Sequence, residues 1–176
     1  YNADLANGLG NLASRVTAMG ERYRDGVLPG PGPATEAEVA VQDAAERAYA
    51  DAVAALGEVA YERALAAIWR FVAAANAYIS ERRPWDLAKS GDDVALDTTL
   101  YTGAEALRVA ALLTAPWLTR AAPVLWAAIG APGELAAARL PGALAWGGLP
   151  RGARVERVGA LFPRLDAEGN VARRAG

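Results

Sequence analysis

Apolar and polar positions along this chain alternate with helical spacing almost from end to end. From Asn2 to Arg24, residues Leu5, Leu9, Leu12, Val16 and Met19 recur at steps of three and four, the spacing that lines one face of an α-helix, and Asp25-Gly26 ends the pattern. The stretch Leu28 to Ala34, with PGPGP at its heart, cannot continue a helix, because each proline lacks an amide donor and each glycine adds backbone freedom. Thr35 followed by Glu38 is a capping-box pairing and predicts a second helix to about Leu56. A third, from near Gly57-Glu58 to about Arg82, carries Tyr61, Leu65, Ile68, Val72, Ala75 and Ile79 along one face. Pro84 breaks it and starts a short helical turn through Trp85, Asp86 and Leu87, with proline at the first position. Asp92 or Asp93 can cap a fourth helix to Thr114, with Leu96, Leu100, Tyr101, Ala104, Leu107, Ala111 and Leu112 inward; Pro116 ends or kinks it. A fifth runs from about Thr119 to Ile129 and closes at Gly130. Beyond Pro132 the composition turns to proline, glycine and arginine, with a short helical possibility at Glu134 to Leu140 and an extended piece at Leu161-Phe162. No internal repeat, heptad array or strand-like alternation interrupts this pattern. The expected fold is all-α: an antiparallel helical bundle over 1–130, followed by an irregular C-terminal extension over 131–176.

Composition narrows the chemistry. At 176 residues the chain is the size of one domain, large enough to take about 70% of its unfolded surface out of water without disulfide or metal staples. It has no cysteine and no histidine, which removes disulfides, thiolate chemistry, the commonest zinc ligand and the Ser-His and Cys-His nucleophile pairs. No catalytic and no metal-ligating residue is expected. Asp92, Asp93 and Asp97 read as caps and first-turn complements to the helix dipole rather than as a metal cluster. With 18 basic and 20 acidic side chains the net charge is -2, so no global positive field exists to hold nucleic acid, and any such partner must be read locally. Alanine supplies about a quarter of the chain, and among the basic residues only Lys89 is a lysine; alanine and arginine both favour helix. The longest apolar stretch, Val109 to Leu118, is far short of the ~20 residues of a membrane span. The chain begins at Tyr1, with neither an initiator methionine nor a signal segment, as expected of a piece of a longer polypeptide.

Three groups of residues carry candidate chemistry. Gly8-Leu9-Gly10 matches part of a dinucleotide-binding fingerprint, but it sits inside a helical pattern with no strand before it, so these glycines are expected to admit another backbone instead. Asn11 and Arg15 are four residues apart, on one helix face and about 6 Å apart along the axis. Such an amide and guanidinium either form directional hydrogen bonds to a base edge or phosphate, or are solvated surface. Arg82-Arg83-Pro84-Trp85 adds a cationic turn with an aromatic beside it, read either as a lid on the core or as a stacking platform.

Taken together these blocks carry more. NADLAN and GNLASR at the start (Asn2 to Arg15), then NAYI (Asn76 to Ile79) and PWDLAK (Pro84 to Lys89), resemble the anticodon-binding domain of methionyl-tRNA synthetase in order and spacing. Asp25-Gly26, Leu107-Arg108, Leu112-Leu113, WGGL at Trp146 to Leu149 and LFPR at Leu161 to Arg164 extend the resemblance over nearly the whole chain. It implies an all-helical module, C-terminal to a catalytic domain that uses ATP with magnesium, which grips the anticodon stem and loop of tRNA(Met) in the cytoplasm. It further implies that Asn11, Arg15 and Trp85 read the anticodon, that the extension packs back toward that catalytic domain, and that no membrane is involved. The HIGH and KMSKS signatures and the zinc-knuckle cysteines of the family are absent from this chain, so no adenylation is expected on it and no cofactor of its own. The other reading compatible with the pattern is a divergent helical protein-interaction module without RNA binding.

Overall fold

The computed structural model describes residues 2–159, 161–163, 165, 166 and 168–171. A π-helical lead-in, Asn2–Leu9, runs into α1 (Gly10–Arg24); then come α2 (Glu36–Gly57), α3 (Tyr61–Arg82), the short α4 (Pro84–Ser90), α5 (Asp93–Thr114) and α6 (Ala121–Ala128). No helix among the described residues is long and apolar enough to cross a membrane. The bundle and its irregular tail agree with the all-α expectation, with differences at the ends of elements. The first helix is not α-helical throughout, since its first eight residues take the wider π winding. Between α2 and α3, Glu58, Val59 and Ala60 form a turn instead of joining the third helix, with Val59 in the left-handed region (φ 58°). The expected fifth helix shrinks to Ala121–Ala128, and the Glu134 to Leu140 possibility to a single 3₁₀ turn at Leu135–Ala137.

The capping box forms as read. The Thr35 amide donates to Glu38 Oε2 at 2.7 Å, while Ala37 N donates to Thr35 Oγ1. Asp92 caps α5 by accepting from Ala95 N, whereas Asp93 and Asp97 both accept from Arg24, tying the end of α1 to the start of α5. From Thr98 to Thr114 every residue of α5 is buried, so this helix is the axle of the molecule, with α1, α2, α3 and α6 packed around it. Ile68, Val72 and Ile79 of α3 and Leu107 and Leu112 of α5 lie in one core as expected, but Leu65 is only half-buried.

The tail returns over the bundle as a strap. Leu28 N donates to Ala153 O, Gly152 N to Leu28 O and Val155 N to Gly26 O, so the loop after α1 pairs with the tail. Val158 N then donates to Thr17 Oγ1, the Phe162 ring lies against Gly10, and Asn2 brackets Leu165 by donating to its carbonyl and accepting from its amide. Val155 also lies against Gly20, so from 155 to 165 the partners on the first helix run 20, 17, 10, 2, and the strap is antiparallel to α1. Gly10 is small for a reason other than the one expected: an added Cβ would stand 3.3 Å from the Phe162 ring and 3.0 Å from its own segment's Leu5 carbonyl, not against a foreign backbone. Tyr1, Arg164 of the LFPR block and the end of the extension at 172–176 lie outside the described residues.

What pins the strap is a buried ion pair. Arg108 and Glu105, one turn apart on α5, have side chains 3% and 0% exposed, and Arg108 Nε donates to Glu105 Oε2 at 2.7 Å. The remaining guanidinium nitrogens donate to the carbonyls of Ala143 and Ala145, and Glu105 Oε1 accepts from Leu149 N at 2.5 Å. Burial and the neighbouring Glu105 push Tyr101 up to about 12, so its hydroxyl stays protonated and donates to Leu149 O.

Candidate functional site

On α1 at 100° per residue, the side carrying Gly10, Thr17 and Gly20 faces the strap, and Asn11 and Arg15 point to the other side. There they meet α3. Asn11 is exposed, and its Nδ2 donates to Asn76 Oδ1 at 2.9 Å. Arg15 Nη1 donates to Ser80 Oγ at 3.1 Å and, at 3.4 Å, to the Asn76 carbonyl. The Ser80 hydroxyl in turn donates to the Asn76 carbonyl. Asn76 therefore touches both candidate residues, and its own Nδ2 donates to the carbonyls of Gly8 and Val72, each at 3.1 Å. The Gly8 carbonyl lies where π winding gives way to α winding, and Asn76 supplies it with a donor from another helix.

Arg15 is half-buried, and burial lowers its guanidinium below its ordinary value. Its hydrogen-bond partners on α3 are neutral, and it takes part in none of the ion pairs of the described residues, unlike Arg24, Arg82 and Arg108. The result is a positive charge held at the surface with no carboxylate to satisfy it. Nε and Nη2 have no acceptor among the described residues.

Ser80 stands two residues before α3 ends and five before Trp85. The turn between them is set by Arg83, a non-glycine residue in the left-handed region (φ 48°), and by Pro84, which is buried and opens α4. Arg83 also pairs with Asp86 at 2.5 Å. This places Trp85 38% exposed, so it is no lid on the core and leaves part of its indole available. Beneath, Arg82 reaches Glu38 Oε1 and Thr99 Oγ1, both at 3.4 Å, bracing the end of α3 against α2 and α5. Burial pushes the Glu38 carboxyl upward, but hydrogen bonds from Thr35 and Tyr78 and the Arg82 guanidinium outweigh it and hold the group below the usual carboxylate range. The same burial and carboxylate push Tyr78 well above the ordinary tyrosine value.

Asn76 and Ser80 were not singled out from sequence as site residues. The available signal was Asn76 itself, an amide set beside the apolar stripe of Val72, Ala75 and Ile79 where hydrophobic side chains pack. Among the described residues no group of three His, Cys, Asp or Glu side chains is arranged to hold a metal ion.

Comparison with known proteins decides the family. A model of the anticodon binding domain of methionyl tRNA ligase matches residues 28–174. The chain belongs to that family. Two relatives are the methionine–tRNA ligase of Streptomyces coelicolor, 40% identical over 173 residues, and that of Deinococcus radiodurans, 39% identical over 176. They cover 94% and 99% of this chain, so α1, which precedes the span of the family model, falls within the resemblance too. Among solved structures, Mycobacterium tuberculosis methionyl-tRNA synthetase bound by methionyl-adenylate superposes with a TM-score of 0.83 at 33% identity over 92% of this chain, and the free-state structure of that enzyme with 0.84 over 94%. The chain spans 25% to 33% of the length of these three proteins.

Proposed function

We propose that this domain grips the anticodon stem and loop of tRNA(Met) and so supports ATP-dependent charging of that tRNA with methionine by a methionine–tRNA ligase. The observation that carries this reading is the Asn11, Asn76 and Arg15 cluster. It holds an exposed amide and an uncompensated guanidinium side by side on α1, with a partly exposed indole just beyond the helix they lean on. An amide and a guanidinium can hydrogen-bond the edge of a splayed base, and an indole can stack on an unstacked one, the way single-stranded loops are recognised. Asn11, Arg15 and Trp85 are the reading residues in this account. Adenylation, with ATP and magnesium, belongs to a catalytic domain of the same polypeptide, toward which the 131–176 extension packs, and the setting is the cytoplasm. The net charge of -2 fits a module that reads bases while other parts of the polypeptide share the phosphate contacts.

The test uses the full-length synthetase. Trp85→Ala should weaken tRNA(Met) recognition by ~1 to 3 kcal/mol, the range for one base on one aromatic ring, and leave ATP-dependent methionine activation unchanged. A salt titration of binding should show the steep loss expected of phosphate contacts. Equal losses in activation and charging, or binding indifferent to salt, would favour a helical protein-interaction module instead.

A further inference from the structure

We propose that Asn76, which this reading does not place against the base, is the residue that makes the site prefer cytosine to uracil at the anticodon position read by Asn11 and Arg15. The inference rests on the anticodon-reading proposal above.

The argument is one of hydrogen-bond direction. Side-chain amides are nearly symmetric in shape, so an exposed asparagine can turn over and offer either its oxygen or its nitrogen to a ligand. Asn76 cannot. Its Nδ2 faces two backbone carbonyls, Gly8 O and Val72 O, and a carbonyl can only accept, so the amide orientation is dictated and Oδ1 must face α1. Oδ1 is also acceptor-only, so Asn11 must present Nδ2 to it. The constraint thus passes from two backbone carbonyls to Asn76 and on to Asn11. Asn11 Oδ1, which has no partner among the described residues, is left as the outward group: an acceptor. Arg15 is fixed in the same way. Ser80 Oγ and the Asn76 carbonyl occupy Nη1, which leaves Nε and Nη2 as outward donors.

The surface therefore offers one acceptor beside a pair of donors. The pairing edge of cytosine has one amino donor followed by two acceptors, its N3 and O2, and complements that order. Uracil has a carbonyl in place of the amino group and an N–H in place of N3. It would set oxygen against Asn11 Oδ1 and a hydrogen against the Arg15 donors. Were Asn11 free to turn over, its Nδ2 would donate to that uracil carbonyl and half of the discrimination would vanish. Asn76 is thus a positioning residue whose effect is on selectivity.

The experiment measures charging kcat/KM of the full-length synthetase on tRNA(Met) transcripts carrying cytosine or uracil at the first anticodon position, with methionine activation followed in parallel. The variants are Asn76→Ala and the near-isosteric Asn76→Leu, which carries the test should truncation to alanine unfold the domain. Preference for cytosine is expected to fall roughly tenfold, the scale of one well-placed pair of base contacts, mainly through faster charging of the uracil transcript, to which a freed Asn11 Nδ2 can donate, with activation unchanged. Asn11→Ala should lower the preference to a similar level, and adding Asn76→Ala to it should lower it no further. Equal loss on both transcripts, or an unchanged preference where Asn11→Ala reduces it, would overturn the assignment to Asn76 and leave the anticodon reading standing. A preference indifferent to Asn11→Ala and Arg15→Ala as well would overturn that reading itself.

Discussion

Removing the Arg108 guanidinium should be among the most costly single changes in this chain. Arg108→Ala takes away the cation paired with Glu105, whose side chain is fully buried, while leaving that carboxylate its bond from Leu149 N. The carbonyls that Arg108 held, of Ala143 and Ala145, lie on half-buried and exposed residues, so water can take them over; the penalty concentrates on Glu105. Breaking a buried pair from one side costs about 3 to 5 kcal/mol, and a chain of this size loses about 2 to 4 °C of Tm per kcal/mol, so the expected fall is roughly 6 to 20 °C. Exposed pairs give the contrast. Arg70 and Asp51 are 66% and 58% exposed, and Arg70→Ala should change stability by less than about 1 kcal/mol. Calorimetric melting of both variants makes the measurement, and limited proteolysis should show the 142–158 segment released first in Arg108→Ala. A Tm within about 3 °C of the parent chain, below the ~6 °C floor of that range, would mean that water reaches Glu105, and the strap would then be held by its backbone pairing with 26–28 rather than by this pair.

Two further outcomes follow from the same core. Leu107→Ala or Ile68→Ala, each at a side chain with no exposed surface, should cost about 2 to 5 kcal/mol through lost transfer energy and a residual cavity, and an unchanged urea midpoint for both would refute their placement. Glu38 is held below the usual carboxylate range in the fold, so its ionised form contributes stability at neutral pH that is lost as pH falls through that range; Glu38→Gln should be less stable than the parent at pH 7 and lose less on acidification to about pH 3, and parallel urea-unfolding curves for the two chains across that interval would contradict the assignment.

Helices α2, α3 and α5 were legible in the sequence because each rule acts within a few residues: the Thr35 and Glu38 cap, the stripe that buries Ile68 to Ile79 although Tyr61 at its head is exposed, with its break at Pro84, and the Asp92 cap. Helix α5 shows where such reasoning stops. Its pattern suggested an inner leucine face, yet from Thr98 on it is buried all round, because Thr98, Thr99 and Thr114 return their hydroxyls to their own helix's carbonyls and Glu105 neutralises Arg108. Polar residues that satisfy themselves locally are indistinguishable in sequence from polar residues that face water. The strap was legible only as irregular composition, since its partners, the backbone of 26–28 and the side chains of Asn2, Thr17, Glu105 and Arg108, lie from 35 to 163 residues earlier in the chain.

The candidate site divides along the same line. Asn11, Arg15 and Trp85 could be singled out because a spacing of four places two side chains on one face and proline marks a turn, both of them local facts, while their role as reading residues came from the resemblance alone. Asn76 was quoted within its block without a role, although its hydrogen bonds reach both Asn11 and Arg15 on α1. Its importance depends on which way two amides and two carbonyls point, and that depends on how α1 sits against α3. A helix face presents residue types, but hydrogen-bond polarity at the surface is set by the buried acceptors behind them. For a surface that must tell one base from another, the residues behind the contacts belong to the reading mechanism as much as the contacts do.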